Sequence, residues 1–440
     1  MRFYRIFQAF LGIVLILSAA AGCGPGPATT EPAPVRTNPP PTTQPTAATT
    51  PVSTPVPTIT VTPKTQNPEH RIAVRAVDGR NEFFDRVTGE KFIPRGYNYI
   101  RVAPMSKTNP GLWHSTLNPG FYEPERAEAA LQAMHAAGYN TVRIFVDCCR
   151  EGNNAGDPQG GVSQLYLENV IDFMNKAKAN EIYVLMVMDL TPAQGGYDEM
   201  WSSCCKTYDG ENLRYLTEGG HTGERRFNQD FIRALIKNGA PMESIFAYDL
   251  TNEVHFSVDK PPFSLTTGKV LTANGVMYDM SSPEDKQRMM DENLVYWIDQ
   301  QRASILKIDP TALVTVSFPG INAGPAIYQS TADFIDLHIY LGWGSGLEQY
   351  MQLFGLEPNP DKLVILGEFG AAKRAFPTAE MVAQELMKRQ AASCEYGFDG
   401  WLLWTFDTHD QTDLWHGMSD LGQINQALAP ANRPDPCQVP

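Results

Sequence analysis

Two apolar runs in this chain stop at a glutamate: IFAYDLTNEVHF reaches Asn252-Glu253, and LVILGEFG reaches Gly367-Glu368. A carboxylate directly after a run built for burial is costly to desolvate unless it faces a polar cleft, so each glutamate belongs at the mouth of a fold. Two such groups on separate strands can face one another. One carboxyl kept protonated can then deliver a proton to a leaving oxygen while the other, ionised, attacks the carbon it leaves. Cleavage of a glycosidic bond requires that pairing.

The elements that must position them are legible as alternating runs. Phe92–Asn98, Thr141–Val146, Tyr183–Met188, Ile245–Leu250, Leu313–Phe318, Phe334–Ile339, Leu363–Leu366 and Gly400–Trp404 read as buried strands. Amphipathic stretches between them, including Glu125–Ala137, Leu165–Ala179, Arg226–Asn238, Pro283–Ile308 and Thr378–Tyr396, read as helices. Eight strand–helix repeats predict an α/β fold, a (β/α)8 TIM barrel; a doubly wound open sheet is the alternative. Arg71–Phe92 reads as a hairpin that could floor the barrel. In such barrels the chemistry sits at the carboxyl ends of the strands, where both glutamates fall.

Gly96-Tyr97-Asn98, Asn140-x-Val142-Arg143, Asn252-Glu253, His338-x-Tyr340, Gly367-Glu368-Phe369-Gly370 and Trp404 together resemble the strand-end signatures of the clan A glycoside hydrolases. The pattern is most similar to glycoside hydrolase family 5, the cellulase and mannanase family, over residues 71–428. The resemblance implies a retaining hydrolase with Glu253 as acid/base and Glu368 as nucleophile. It gives Asn98, Arg143, Asn252, His338, Tyr340 and Trp404 substrate-binding or supporting roles. Arg143 beside Glu368 would lower its pKa, Asn252 would donate to the sugar 2-hydroxyl, Tyr340 would orient Glu368, and His338 would bond Glu253 or the sugar. Trp404 offers a flat face for a pyranose ring. Members often carry a histidine near the third strand, where this chain has Asp189, a candidate either to bond a hydroxyl or to cap the strand. Trp113, Trp201, Trp343 and Trp415 fall in segments after strands, which suits endo action on a β-linked glucan or mannan. A catalytically inactive, surface-anchored carbohydrate-binding barrel is the competing reading.

Around this domain, Ile6–Ala21 with Arg2 and Arg5 before it reads as a signal peptide. Ala20-Ala21-Gly22-Cys23 resembles a bacterial lipobox, making Cys23 a candidate lipid anchor and 1–23 a leader. Pro and Thr make up about half of residues 24–68, a composition with little to bury, so this stretch reads as a disordered spacer before a catalytic domain at 69–440. The expected location is extracellular, tethered to the membrane. The remaining cysteines, Cys148, Cys149, Cys204, Cys205, Cys394 and Cys437, are even in number and read as disulfides. One pairing joins the two vicinal pairs in parallel and leaves Cys394 with Cys437. Neighbouring thiols do not suit zinc, and Asp407, Asp410 and Asp413 lack the glycine and terminal glutamate of a calcium loop. No metal or cofactor is expected. A formal charge of −14 over 440 residues argues against nucleic acid as a partner, and a monomer acting on polysaccharide is expected. Phosphate-loop, dinucleotide, HExxH and nucleophile-elbow motifs are missing from the sequence.

Overall fold

The computed structural model describes residues 69–146, 154–202, 207–319, 328–342, 347–354 and 362–438. The leader with Cys23, the Pro/Thr stretch, both vicinal cysteine pairs and Trp343 lie outside the described residues. A hairpin of β1 (Ile72–Val77) and β2 (Arg80–Asp85) precedes β3 (Arg95–Asn98), and a second hairpin, β4 (Val102–Pro104) with β5 (Leu112–His114), follows it. Next come α1 (Pro124–Ala136), β6 (Thr141–Phe145), α2 (Gln164–Ala179) and β7 (Tyr183–Val187). Helices α3 (Asn212–Leu216) and α4 (Glu218–Lys237) lead to β8 (Ile245–Asp249). An inserted hairpin, β9 (Lys269–Leu271) and β10 (Met277–Asp279), precedes α5 (Pro283–Leu306), β11 (Val314–Thr315) and β12 (Ser317–Phe318). Then follow β13 (Phe334–Leu341), α6 (Leu347–Phe354), β14 (Leu363–Ala371), α7 (Ala379–Cys394), β15 (Phe398–Leu403) and α8 (Gln423–Leu428).

The central sheet is parallel throughout, in the order β11-β8-β7-β6-β3-β15-β14-β13-β12. Its two ends are halves of one strand interrupted at Val316: β11 pairs with β8 and β12 with β13. Eight strand positions thus form a ring, and the fold is a (β/α)8 barrel. Helix starts follow side-chain chemistry: Ser163, Thr217, Ser282 and Thr378 each accept the backbone N–H three residues on. Helix α4 begins at Glu218, eight residues before the expected Arg226. At Gly220 a β-carbon would come within 2.3 Å of the Leu213 carbonyl, so its absence lets α4 lie against α3.

Period-two alternation sorts each strand between barrel interior and helices. Val142 and Ile144 pack in the large helix-facing core, whereas Arg143 and Phe145 point inward. At the amino end the interior is apolar: Leu185, Ala247, Leu313, Ile365 and Leu402 meet Ile72, Phe83 and Phe92 from the leading hairpin, which plugs the barrel. Phe83 stands edge-on to Phe246 and Phe334 at 5.1 and 5.2 Å, and each buried ring stabilises the plug by about 1.5–3 kcal/mol. Above that layer the interior turns polar, with Asn98, Arg143, Asp249, Asp336 and Glu368 all buried. Among the described residues no helix is long and apolar enough to cross a membrane.

Candidate active site

Glu368 stands within β14, which continues to Ala371 instead of ending at the expected Leu366. The register with β13 slips here: Leu337 faces Leu366, but His338 faces Glu368, leaving Gly367 as a bulge. Its freed backbone groups are both satisfied. Gly367 N–H donates to Asp336 Oδ1 (2.7 Å), and its carbonyl accepts from Asn98 Nδ2 (2.8 Å). A β-carbon at Gly367 would lie 2.0 Å from that Asp336 oxygen, so only glycine fits. The bulge aims the Glu368 carboxylate at two donors, Arg143 Nη1 at 2.6 Å and Tyr340 Oη at 2.5 Å, with His338 Nδ1 3.4 Å away.

Glu253 lies beyond the end of β8, in a turn where its φ is +52°. Leu250 N and Val254 N rejoin the ladder through the Thr315 and Ser317 carbonyls, and the residues between leave it. Ser317 Oγ accepts from Glu253 N (3.2 Å) and donates to the Thr251 carbonyl (2.8 Å), pinning the turn. The Glu253 carboxylate bonds His338 Nδ1 at 3.0 Å. Its side chain is 37% accessible, against 4% for Glu368, so Glu253 can exchange a proton with solvent or a leaving group.

Arg143 is fully buried and joins the two sides. Nη1 donates to Asn98 Oδ1 (3.0 Å) as well as Glu368, and Nη2 donates to Asp249 Oδ2 (2.8 Å), Asn252 Oδ1 (3.0 Å) and Ser317 Oγ (3.3 Å). Asp336 Oδ2 lies 3.8 Å from its Nε. One cation thus serves three buried carboxylates. Asp336 is pushed well above the ordinary carboxyl range, chiefly by burial. Burial also raises Glu253, against Arg143 and His255, and raises Glu368, against His338, Arg143 and the Tyr340 hydrogen bond. Arg143 therefore moderates the Glu368 pKa and does not carry it below the ordinary range. Burial lowers His338 to about 4, so its ring is neutral at pH 7.

Selected oxygens of Glu253 and Glu368 and a nitrogen of His338 lie within 4.8 Å of one another. Such a trio could grasp a cation, but Arg143, Tyr340 and His338 already satisfy these carboxylates. Asp407 is held by Arg101 and Arg126 at 2.8–3.2 Å.

The structure gathers Arg143, Asn252, Glu253, His338, Tyr340 and Glu368 at one end of the barrel. Asn98 has no exposed surface and contacts Arg143 and the Gly367 carbonyl. Asp189 is also turned inward: its Oδ1 accepts from Asn252 N (3.3 Å), its φ is +40°, and burial raises its pKa to about 6. Trp404 is 6% exposed, packs edge-on against Phe145, and donates to Gln411 Oε1 (2.7 Å). Trp113, in β5, and Trp415, on a loop, are half-buried, whereas Trp297 and Trp401 are buried. Sequence reasoning missed Asp249, Asp336, Ser317 and the Arg214–Glu224 ion pair, because polar residues inside or beside apolar runs give no local sign of their partners. It also missed His114, whose ring lies 4.2 Å from Phe145 and 6.0 Å from Trp404.

Residues 103–410 match the family model described as Cellulase (glycosyl hydrolase family 5). Among curated proteins no sequence matches. Similar solved structures include the endo-1,4-β-mannanase of Rhizomucor miehei, 14% identical with TM-score 0.58, covering 82% of this chain and 98% of that one. An endo-β-1,4-mannanase from Thermotoga petrophila is 16% identical with TM-score 0.51, covering 79% and 78%. An exo-β-1,4-mannosidase from Opitutaceae bacterium strain TAV5 is 17% identical with TM-score 0.50, covering 80% and 58%. At these identities the likeness speaks for the barrel alone. Fold and family match define an O-glycosyl hydrolase of the endo-β-glucanase or β-mannanase type. The chain belongs to glycosyl hydrolase family 5.

Proposed function

We propose that this enzyme cleaves a β-linked polysaccharide with retention, Glu368 attacking the anomeric carbon and Glu253 acting as acid and then base. The observation that carries this reading is that an oxygen of Glu253 lies within 4.8 Å of an oxygen of Glu368. Retaining enzymes hold the pair about 5–5.5 Å apart, whereas inverting ones leave about 6.5–9.5 Å for a water. The two donors on Glu368 stabilise its carboxylate as attacking group, and the single bond from His338 leaves the more accessible Glu253 suited to carry the proton. Asn252 Oδ1 is committed to Arg143, and among the described residues its amide N–H₂ has no partner, which suits donation to the sugar 2-hydroxyl. Arg143 and Tyr340 act on Glu368, Asn98 steadies Arg143, and Asp189 holds the Asn252 backbone. Trp404 would present its indole to the ring being cleaved.

Half-buried Trp113 and Trp415 support endo action, and mannan and glucan are the substrates to test first. The sequence of residues 1–68 supports an exported enzyme, tethered through Cys23 on a Pro/Thr spacer. The deciding experiment gives azide to Glu253→Ala and Glu368→Ala with 2,4-dinitrophenyl β-mannobioside or β-cellobioside. A β-glycosyl azide from the first and an α-glycosyl azide from the second are expected, with turnover on tetraoses down about 10²–10⁴-fold in each. Undiminished hydrolysis, or α-anomeric product from the unaltered enzyme, would overturn the assignment.

A further inference from the structure

The turn that presents Glu253 is held from behind by a group that no sequence motif marks. Arg214, on α3, is 3% exposed. Its Nη1 donates to Thr251 Oγ1 (2.6 Å), and its Nη2 donates to the Leu250 carbonyl (3.1 Å) and to the Asp189 carbonyl. The same Nη2 bonds Glu224 Oε1 on α4 (2.5 Å), and Glu224 Oε2 accepts from the fully buried Trp297 Nε1 on α5 (2.7 Å). Three helices are thereby chained to the carboxyl ends of β7 and β8. Both strand ends carry a non-glycine residue with positive φ, Asp189 at +40° and Glu253 at +52°. Such conformations persist only where the surroundings over-determine them. Ser317 fixes the barrel side of the Glu253 turn, and Arg214 fixes the outer side. Its planar fork reaches two carbonyls, a hydroxyl and a carboxylate at once, which a lysine cannot do.

We propose that Arg214, anchored by Glu224, is a positioning residue for acid/base catalysis: it sets the Leu250–Glu253 turn and so the aim of the Glu253 carboxyl. The inference rests on Glu253 being the acid/base. Its test exploits the leaving group. Departure of a sugar needs a proton from Glu253, whereas 2,4-dinitrophenolate leaves unaided, so kcat/KM on the two substrates separates aim from general damage.

For Arg214→Lys, kcat/KM on mannotetraose or cellotetraose falls about 10²-fold, the cost of a small misplacement. On the matching 2,4-dinitrophenyl β-bioside, kcat/KM falls by less than about threefold, and azide, which needs no base, restores kcat. Thr251→Val, which removes one acceptor and keeps the shape, shows the same pattern in weaker form and serves if the lysine variant does not fold. Equal loss on both substrates, or no loss on either, would overturn the proposal while Glu253→Ala retains the leaving-group dependence. If Glu253→Ala itself lacks that dependence, the acid/base reading fails, and the inference falls with it.

Discussion

Arg143 carries one positive charge among Asp249, Asp336 and Glu368, so this buried cluster has more acid than base. Burial, with Asp249 and Glu368 nearby, raises the Asp336 pKa well above its ordinary value and so favours its neutral form in the folded protein. Its folded pKa lies above the unfolded value near 3.8, so its contribution to stability is full below that pH and is lost as pH rises through the folded value. Asp336→Asn keeps an acceptor for Gly367 N–H and removes the titration. Its Tm relative to the parent should therefore rise with pH above about 4, as thermal unfolding across a pH series would read; a constant offset would refute the protonated assignment. Tyr340 donates to Glu368 and lowers a pKa that burial has raised. Tyr340→Phe should move the acid limb of kcat/KM to higher pH, and an unmoved limb would mean that the bond does not bear on the attacking carboxylate.

At the scale of the element, the bulge in β14 decides the site. Leu363–Leu366 was legible as a strand because it is continuously apolar, but Gly367-Glu368 reads as its end. What prolongs the strand is Asp336, distant in sequence, taking the Gly367 N–H where the bulge leaves it unpaired. Gly367→Ala would drive a methyl into that carboxylate and cost about 1–3 kcal/mol or more, with Glu368 displaced. Denaturant unfolding and kcat on a soluble β-glycan measure the two effects, and an alanine variant with parental values would show that the bulge has room. The turn after β8 was legible only as the place where a glutamate follows an apolar run; its positive φ and its bond to Ser317 depend on the broken strand beside it.

For the whole molecule, the C-terminal segment is bound to the barrel. Cys394 at the end of α7 is joined to Cys437, 43 residues on, and buried Arg95 donates to the Leu428, Arg433 and Pro434 carbonyls. Closing a loop of 43 residues stabilises by up to about 4 kcal/mol through the unfolded chain. The double variant Cys394→Ser with Cys437→Ser should therefore unfold about 2–4 kcal/mol more easily with kcat/KM within about twofold, since neither cysteine touches the catalytic groups. A large fall in kcat/KM would instead tie this segment to the site.

The order of strands and helices, the barrel and the two strand-end glutamates were fixed locally, because hydrophobic period and chain interruptions are properties of consecutive residues. Which carboxylates share Arg143, which acids burial pushes toward the neutral form, and how Arg214 and Ser317 hold the Glu253 turn were decided only on closure of the ring. Burial and pairing of charge depend on groups that meet in space from opposite sides of the barrel, and no local pattern encodes that meeting.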